Sequence, residues 1–145
     1  MQTIKVINNS KYPLPKFETN GAAAMDVVTI DDVLISTNKI TMIDTGLNFK
    51  LPDAHKLLVL PRSGFAKKYG LTVVNSPGLI DEDYCGRIKI LLTIIGQPND
   101  FTLPVEAGTR IAQIILEPVT RWKWEEVNEL PKTERNEGGF GSTGK

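Results

Sequence analysis

One cysteine and one histidine leave this chain little scope for redox or metal chemistry of its own. Cys85 has no partner for an internal disulfide, which fits a reducing compartment. His55 and Cys85 together cannot complete a Cys/His zinc site. The Cys-x-x-Cys pair of the zinc-dependent nucleobase deaminases is also missing, which excludes that class. No apolar run approaches the roughly 18 residues of a membrane span, and the segment from Met1 to Val6 lacks the apolar core of a signal peptide. The expectation is a soluble, cytoplasmic protein with no membrane partner. An excess of either charge is absent too: 17 Lys and Arg balance 17 Asp and Glu. No general basic field exists for a nucleic-acid polymer, so any anion site is local.

A sustained 3.6-residue period is lacking throughout. Short apolar blocks, closed at intervals by Gly, Pro, Asn or Asp, predict an all-β sandwich or barrel in one domain of 145 residues. Strands are expected over Thr3–Ile7, Met25–Val28, Val33–Ile35, Ile40–Ile43, Leu47–Leu51, Lys56–Leu60, Leu71–Val74, Ile88–Ile95, Phe101–Leu103, Arg110–Leu116 and Trp122–Val127. One short helix is expected over Ser63–Tyr69, with Ser63 as N-cap and Gly70 as the stop. His55 reads as a surface residue in a turn. Trp122 and Trp124 read as packing residues, in the core or at a subunit contact.

Gly78-Leu79-Ile80-Asp81-Glu82-Asp83-Tyr84-Cys85-Gly86 lies between two apolar arms and reads as a hairpin that presents acids and a tyrosine at the mouth of a rigid frame. Before it, Asn75-Ser76-Pro77 is turn chemistry, and the Asn75 amide offers a donor and an acceptor to a base. Pro61-Arg62-Ser63-Gly64-Phe65-Ala66 opens the helix. Backbone N–H groups at a helix start, together with a guanidinium and a hydroxyl, suit a phosphate. Gly21 to Val27 includes Asp26, and Gly108-Thr109-Arg110-Ile111-Ala112-Gln113 opens a further strand. Arg135 to Lys145 has four glycines and no aliphatic residue, the composition of a disordered tail. Its Gly-x-x-x-x-Gly-Lys run is no P-loop, because the Ser/Thr and the helix that should follow are missing.

Taken in order, these five segments resemble the five signature motifs of the trimeric dUTP diphosphatases (dUTPases). Three positions depart from the pattern: Ala24 replaces a glycine, Met25 an aromatic residue and Asn136 a glycine. The resemblance implies a jelly-roll β-barrel or sandwich over residues 1–131, with a flexible arm over 132–145 that closes on the active site. It implies a homotrimer with shared sites and an enzyme that hydrolyses dUTP to dUMP and pyrophosphate, keeping uracil out of DNA and supplying dUMP for thymidylate synthesis. Asp81 is implied as the catalytic base. Arg62, Ser63, Gly64 and Gln113 are implied on the phosphates, Asn75 and Gly78 on uracil, and Tyr84 under the deoxyribose. Asp26 and Arg110 are implied to brace the phosphate site. In the arm, Phe140 is implied to cover the base while Arg135, Gly141, Ser142 and Thr143 close on the substrate. Mg²⁺ is the implied cofactor, held mainly by the triphosphate, with Asp26 reaching it through water; a hard cation prefers such oxygens and keeps several waters.

Two alternatives stand beside this reading. A dCTP deaminase would share the fold, although the Asp81-x-Asp83-Tyr84 stretch matches the diphosphatase pattern better. A dUTPase-fold protein that binds a regulatory partner under nucleotide control is the other. Cys85 reads as a packing residue beside the hairpin.

Overall fold

A computed structural model describes residues 2–139 of the chain. Ten strands and one helix follow in order: β1 (Lys5–Asn8), β2 (Met25–Val28), β3 (Val33–Ser36), β4 (Thr41–Lys50), β5 (His55–Pro61), α1 (Ser63–Tyr69), β6 (Leu71–Val73), β7 (Gly78–Ile80), β8 (Arg87–Ile94), β9 (Thr102–Val105) and β10 (Arg110–Pro118). They form a four-stranded sheet β1-β4-β8-β6, a second four-stranded sheet β2-β10-β5-β7, and a ribbon β3-β9. Every pairing between named strands is antiparallel. The sheets are not closed on one another, so the fold is an open sandwich and not the barrel that was one of the two expected forms.

Strict alternation explains how the sandwich fills. Along β8 the side chains of Ile88, Ile90, Leu92 and Ile94 are buried, while Arg87, Lys89, Leu91 and Thr93 face the other way, the period of two that a strand imposes. Leu57 and Val59 of β5, and Ile111, Ala112 and Ile114 of β10, meet them from the second sheet in one core cluster. No buried side-chain polar atom among the described residues lacks a hydrogen-bond partner, as a well-formed interior requires.

The segments expected over Ile40–Ile43 and Leu47–Leu51 belong to one strand, β4. Gly46 adopts φ 73, and its N–H donates to Asp44 Oδ1 at 2.7 Å. The Thr45 hydroxyl donates to the Ile88 carbonyl at 2.8 Å. From Asp44↔Lys89 to Asn48↔Arg87, β4 advances four residues against two on β8. The turn-like Asp-Thr-Gly is therefore a bulge that bends the strand without ending it.

Helix α1 spans the expected residues, but Arg62 takes the N-cap place in extended backbone and no side chain caps the start. The Arg62 carbonyl accepts the first helical bond, from Ala66 N–H at 3.0 Å, which puts Ser63 one position inside the helix. Gly70 ends it in the left-handed conformation, φ 69. The strand expected at Trp122–Val127 does not form: residues 119–131 hold no strand, and Trp122 and Trp124 are 69% and 86% exposed. With no strand beside this segment, its alternation has no sheet to join, and the expected core role is corrected. His55 opens β5 half-buried, with Nδ1 2.8 Å from the Asp53 carbonyl.

Candidate active site

The expected hairpin pairs as the two apolar arms require, Leu71↔Ile94 and Val73↔Leu92. Between the arms the chain does something further. It leaves the first sheet, adds β7 to the edge of the second by Leu57↔Ile80 and Val59↔Gly78, and then returns to β8. The turn before β7 has Ser76 N–H on the Val73 carbonyl at 3.1 Å and a cis Ser76–Pro77 peptide. A Cβ on Gly78 would come 3.3 Å from Val59 Cβ and within 3.7 Å of both Asn75 amide atoms. The Asn75 side chain therefore lies against Gly78 at ordinary van der Waals reach, and the tighter neighbour that favours a glycine there is Val59 on the paired strand.

Asp81 to Tyr84 close a turn, with Tyr84 N–H donating to the Asp81 carbonyl at 3.2 Å. The Tyr84 ring folds back over Gly86, where a Cβ would fall 2.5 Å from its hydroxyl oxygen. That hydroxyl donates to the Arg87 carbonyl at 3.0 Å. Tyr84 and Asp81 border a cleft of about 570 Å³, completed by Met42, Leu79, Ile80, Arg87, Ile88 and Lys89. This volume lies within the roughly 300–1,000 Å³ of small-molecule sites. Its wall is apolar on the hairpin side and carries one carboxylate at the rim. Arg87 is tied to Asp44, Nη1 to Oδ1 3.4 Å.

A second cluster sits at the other end of β5. Arg62 Nε donates to Asp26 Oδ1 at 2.9 Å, and Arg62 Nη1 donates to the Arg110 carbonyl at 2.9 Å. Arg110 Nη1 lies 3.3 Å from Asp26 Oδ2. Gln113 is registered opposite Asp26 on β2 and Leu60 on β5, and its Nε2 donates to the Pro61 carbonyl at 2.8 Å. Ser63 and Gly64 are exposed beside them, and a Cβ on Gly64 would meet nothing within 4 Å. Asp26 thus aligns two guanidiniums beside a helix start, with Glu18 Oε1 a further 3.8 Å from Arg110 Nη1, an arrangement of fixed charged donors that can hold an anion.

Asp26, Arg62, Ser63, Gly64, Arg110 and Gln113 are brought together; Asn75 meets Gly78, and Asp81 meets Tyr84 across the cleft, whose lining includes neither Asn75 nor Gly78. Asp81 is not brought to the Arg62 cluster. Asp81 follows the residue paired with Leu57, five residues from Arg62, which is roughly 16 Å along a strand. Arg135 turns into its own loop, Nε to the Gly138 carbonyl 2.7 Å. Phe140, Gly141, Ser142 and Thr143 lie outside the described residues.

The departures from the motifs have plain geometry. Ala24 is not among the residues with positive φ, whereas Asn136 takes φ 42, a conformation asparagine accepts better than most residues. Cys85 is exposed rather than packed. Met42, Arg87 and Lys89 border the cleft but were not singled out from the sequence. Alternation along β8 places Arg87 and Lys89 opposite the core and could have flagged them. Met42 gave no signal, because only the register Met42↔Leu91 brings it there.

Among the described residues no three acids, histidines or cysteines converge to hold a metal, and both Asp26 oxygens already face guanidiniums. No helix among them is long and apolar enough to cross a membrane.

Residues 10–144 match the family described as dUTPase. The deoxyuridine 5'-triphosphate nucleotidohydrolases of Rickettsia felis and Rickettsia typhi are each 43% identical to this chain over 143 residues, covering 97% of it and 95% of their own length. Among solved structures, a mutant Staphylococcus bacteriophage 80alpha dUTPase with dUpNHpp aligns at a TM-score of 0.84 and 24% identity over 99% of both chains. A mutant dUTPase from phage phi11 of S. aureus, described with the coordination of a structural Mg(II) ion, aligns at 0.77 and 20% identity over 88% of this chain and 97% of that one. At these identities the two structures speak for the fold, which they share with this chain.

Proposed function

The chain belongs to the dUTPase family, and from that premise we propose that it hydrolyses dUTP to dUMP and pyrophosphate by in-line attack of an Asp81-activated water on the α-phosphorus. The observation that carries this reading is the exposed Asp81 carboxylate at the rim of a nucleoside-sized cleft walled by Leu79, Ile80 and Tyr84. A carboxylate there can orient a water and take its proton, a contribution of roughly 10²- to 10⁴-fold. Phosphoryl transfer asks little else of the protein than positioning and charge neutralisation. Asn75, held against Gly78, offers the donor and acceptor that uracil needs; a cytosine would leave them mismatched, at a discrimination of about 10⁴ or more. Tyr84 packs beneath the deoxyribose and leaves no room for a 2'-hydroxyl.

The Asp26–Arg62–Arg110 cluster with Gln113 and Ser63 is the phosphate site. Its distance from Asp81 along β5 is too great for one dUTP to lie against both in one chain in the way the chemistry needs. We therefore read the active site as composite, with the Asp81 hairpin of one chain facing the Arg62 cluster of another in a homotrimer. The arm over residues 132–145, with Arg135, Phe140, Gly141, Ser142 and Thr143, closes on the bound nucleotide.

The residues present fit a magnesium ion that arrives with its substrate: among the described residues no cluster of acids, histidines or cysteines competes for it, and Asp26, whose two oxygens face guanidiniums, would reach it through water. When bound, Mg²⁺ supplies charge neutralisation on the phosphate oxygens. A cytoplasmic location fits the one exposed thiol.

The test is pyrophosphate release from dUTP, with dCTP, dTTP and UTP in parallel, for the wild type and for Asp81→Asn. The wild type should act on dUTP alone. Asp81→Asn should keep its affinity for dUTP and lose at least about 10²-fold in kcat. Near-normal turnover in that variant removes Asp81 from the role of base.

A further inference from the structure

Three adjacent carboxylates in one turn repel, and a turn built that way holds its shape only if something anchors it. Among Asp81, Glu82 and Asp83 the anchored one is Glu82, whose side chain is 28% exposed while its neighbours are exposed residues. Glu82 Oε2 accepts from Ala54 N–H at 2.5 Å. Glu82 Oε1 accepts from Arg121 Nη2 at 2.8 Å. Its backbone carbonyl accepts from Lys50 Nζ at 2.9 Å. These donors come from the end of β4 with the β4–β5 turn that follows it, and from the segment after β10, two stretches of chain that meet Glu82 only on folding. The anchor points are themselves tied: Ala54 sits at φ 55, and its carbonyl accepts Val119 N–H at 2.8 Å.

We propose that Glu82 is a positioning residue for Asp81. Clamped by the Ala54 amide and Arg121, it fixes the turn so that the neighbouring carboxylate points at the attacking water and not into solvent. This rests on the reading of Asp81 as the base. An exposed ion pair alone contributes little. The clamp differs because it adds a charge-assisted bond to a backbone amide, which pins a main-chain position and not merely a flexible side chain. Displacement of a catalytic group by about 1 Å can cost on the order of 10² in rate. The clamp therefore acts on kcat, while the grip on the base by Asn75 and the cleft walls is untouched.

The experiment compares Glu82→Ala, Glu82→Gln, Arg121→Ala, the Glu82→Ala/Arg121→Ala double variant and Asp81→Asn, by steady-state kinetics on dUTP and by thermal denaturation. Glu82→Ala should lose roughly ten- to a hundredfold in kcat with KM within about twofold. Glu82→Gln, which still offers an oxygen to the Ala54 amide, should recover most of that loss. The double variant should be no slower than Glu82→Ala, because both remove one interaction. If Glu82→Ala keeps kcat within about twofold while Asp81→Asn is inactive, Glu82 has no positioning role and the reading of Asp81 stands. A loss spread equally over kcat and KM, in a variant still folded at the assay temperature, also overturns it. Should Glu82→Ala fail to fold, Glu82→Gln and Arg121→Ala decide by the same split between kcat and KM. An active Asp81→Asn overturns the reading on which the proposal stands.

Discussion

Gly70 must be a glycine for two independent reasons. It holds φ 69 at the end of α1, where its N–H donates to the Ala66 carbonyl at 2.9 Å, and a Cβ there would collide with the Ile95 carbonyl oxygen. A left-handed residue with a side chain costs about 1–2 kcal/mol, and a clash with backbone cannot be relieved by a rotamer change. Gly70→Ala should therefore destabilise the fold by at least about 2 kcal/mol, read as a lowered denaturant midpoint at unchanged slope. Asn136 is the opposite case. It stands where the family motif has glycine and takes φ 42, while its side chain and that of Thr133 exchange hydrogen bonds with each other's backbone N–H at 3.0 Å. Asn136 thus takes a backbone conformation open to glycine and adds a local lock.

Strand β5 is the element on which the site depends. Its C-terminal end carries Arg62 into α1, and β7 pairs along Leu57 to Val59, so one strand sets the spacing between the Arg62 cluster and the Asp81 turn. The segment after β10 behaves differently, with Trp122, Trp124, Val127 and Leu130 all more than half exposed. Exposed apolar side chains recurring along one segment suit contact with another chain, in keeping with the proposed composite site. Beyond that segment, residues 132–137 are exposed and contribute nothing to the core. Deletion of residues 135–145 should leave the melting temperature unchanged and lower kcat by at least about tenfold, since closure over the substrate excludes water and completes the phosphate contacts. An unchanged rate would show that the arm is no lid.

At the scale of the whole molecule, the proposed trimer with composite sites predicts complementation. Asp81→Asn and Arg62→Ala should each be inactive as pure homotrimers. Co-expressed in equal amounts, they form mixed trimers in which about a quarter of sites combine an intact hairpin from one chain with an intact phosphate cluster from the next. About a quarter of wild-type turnover is the expected result. No recovery, in trimers shown to be mixed by mass, would place both halves of each site in one chain. Much of this was legible in the residues. Period-two alternation in β8, the α1 boundary at Gly70 and the hairpin arms Leu71 to Val73 and Ile88 to Ile94 are local patterns that short-range sterics enforce. The family came through because motif order is written along the chain, and the roles proposed for the site residues rest on that order. Other features were decided only by packing. The Asp-Thr-Gly of β4 looks like a turn and is a bulge, because the Ile88 carbonyl across the sheet engages Thr45. Trp122 to Val127 has a strand's alternation and no strand, because a ladder needs a neighbour that one chain does not supply. The crossing of β7 from one sheet to the other, the clamp on Glu82 and the separation of Asp81 from Arg62 likewise depend on contacts between residues remote in sequence. Local pattern chose the elements; long-range pairing chose which of them meet.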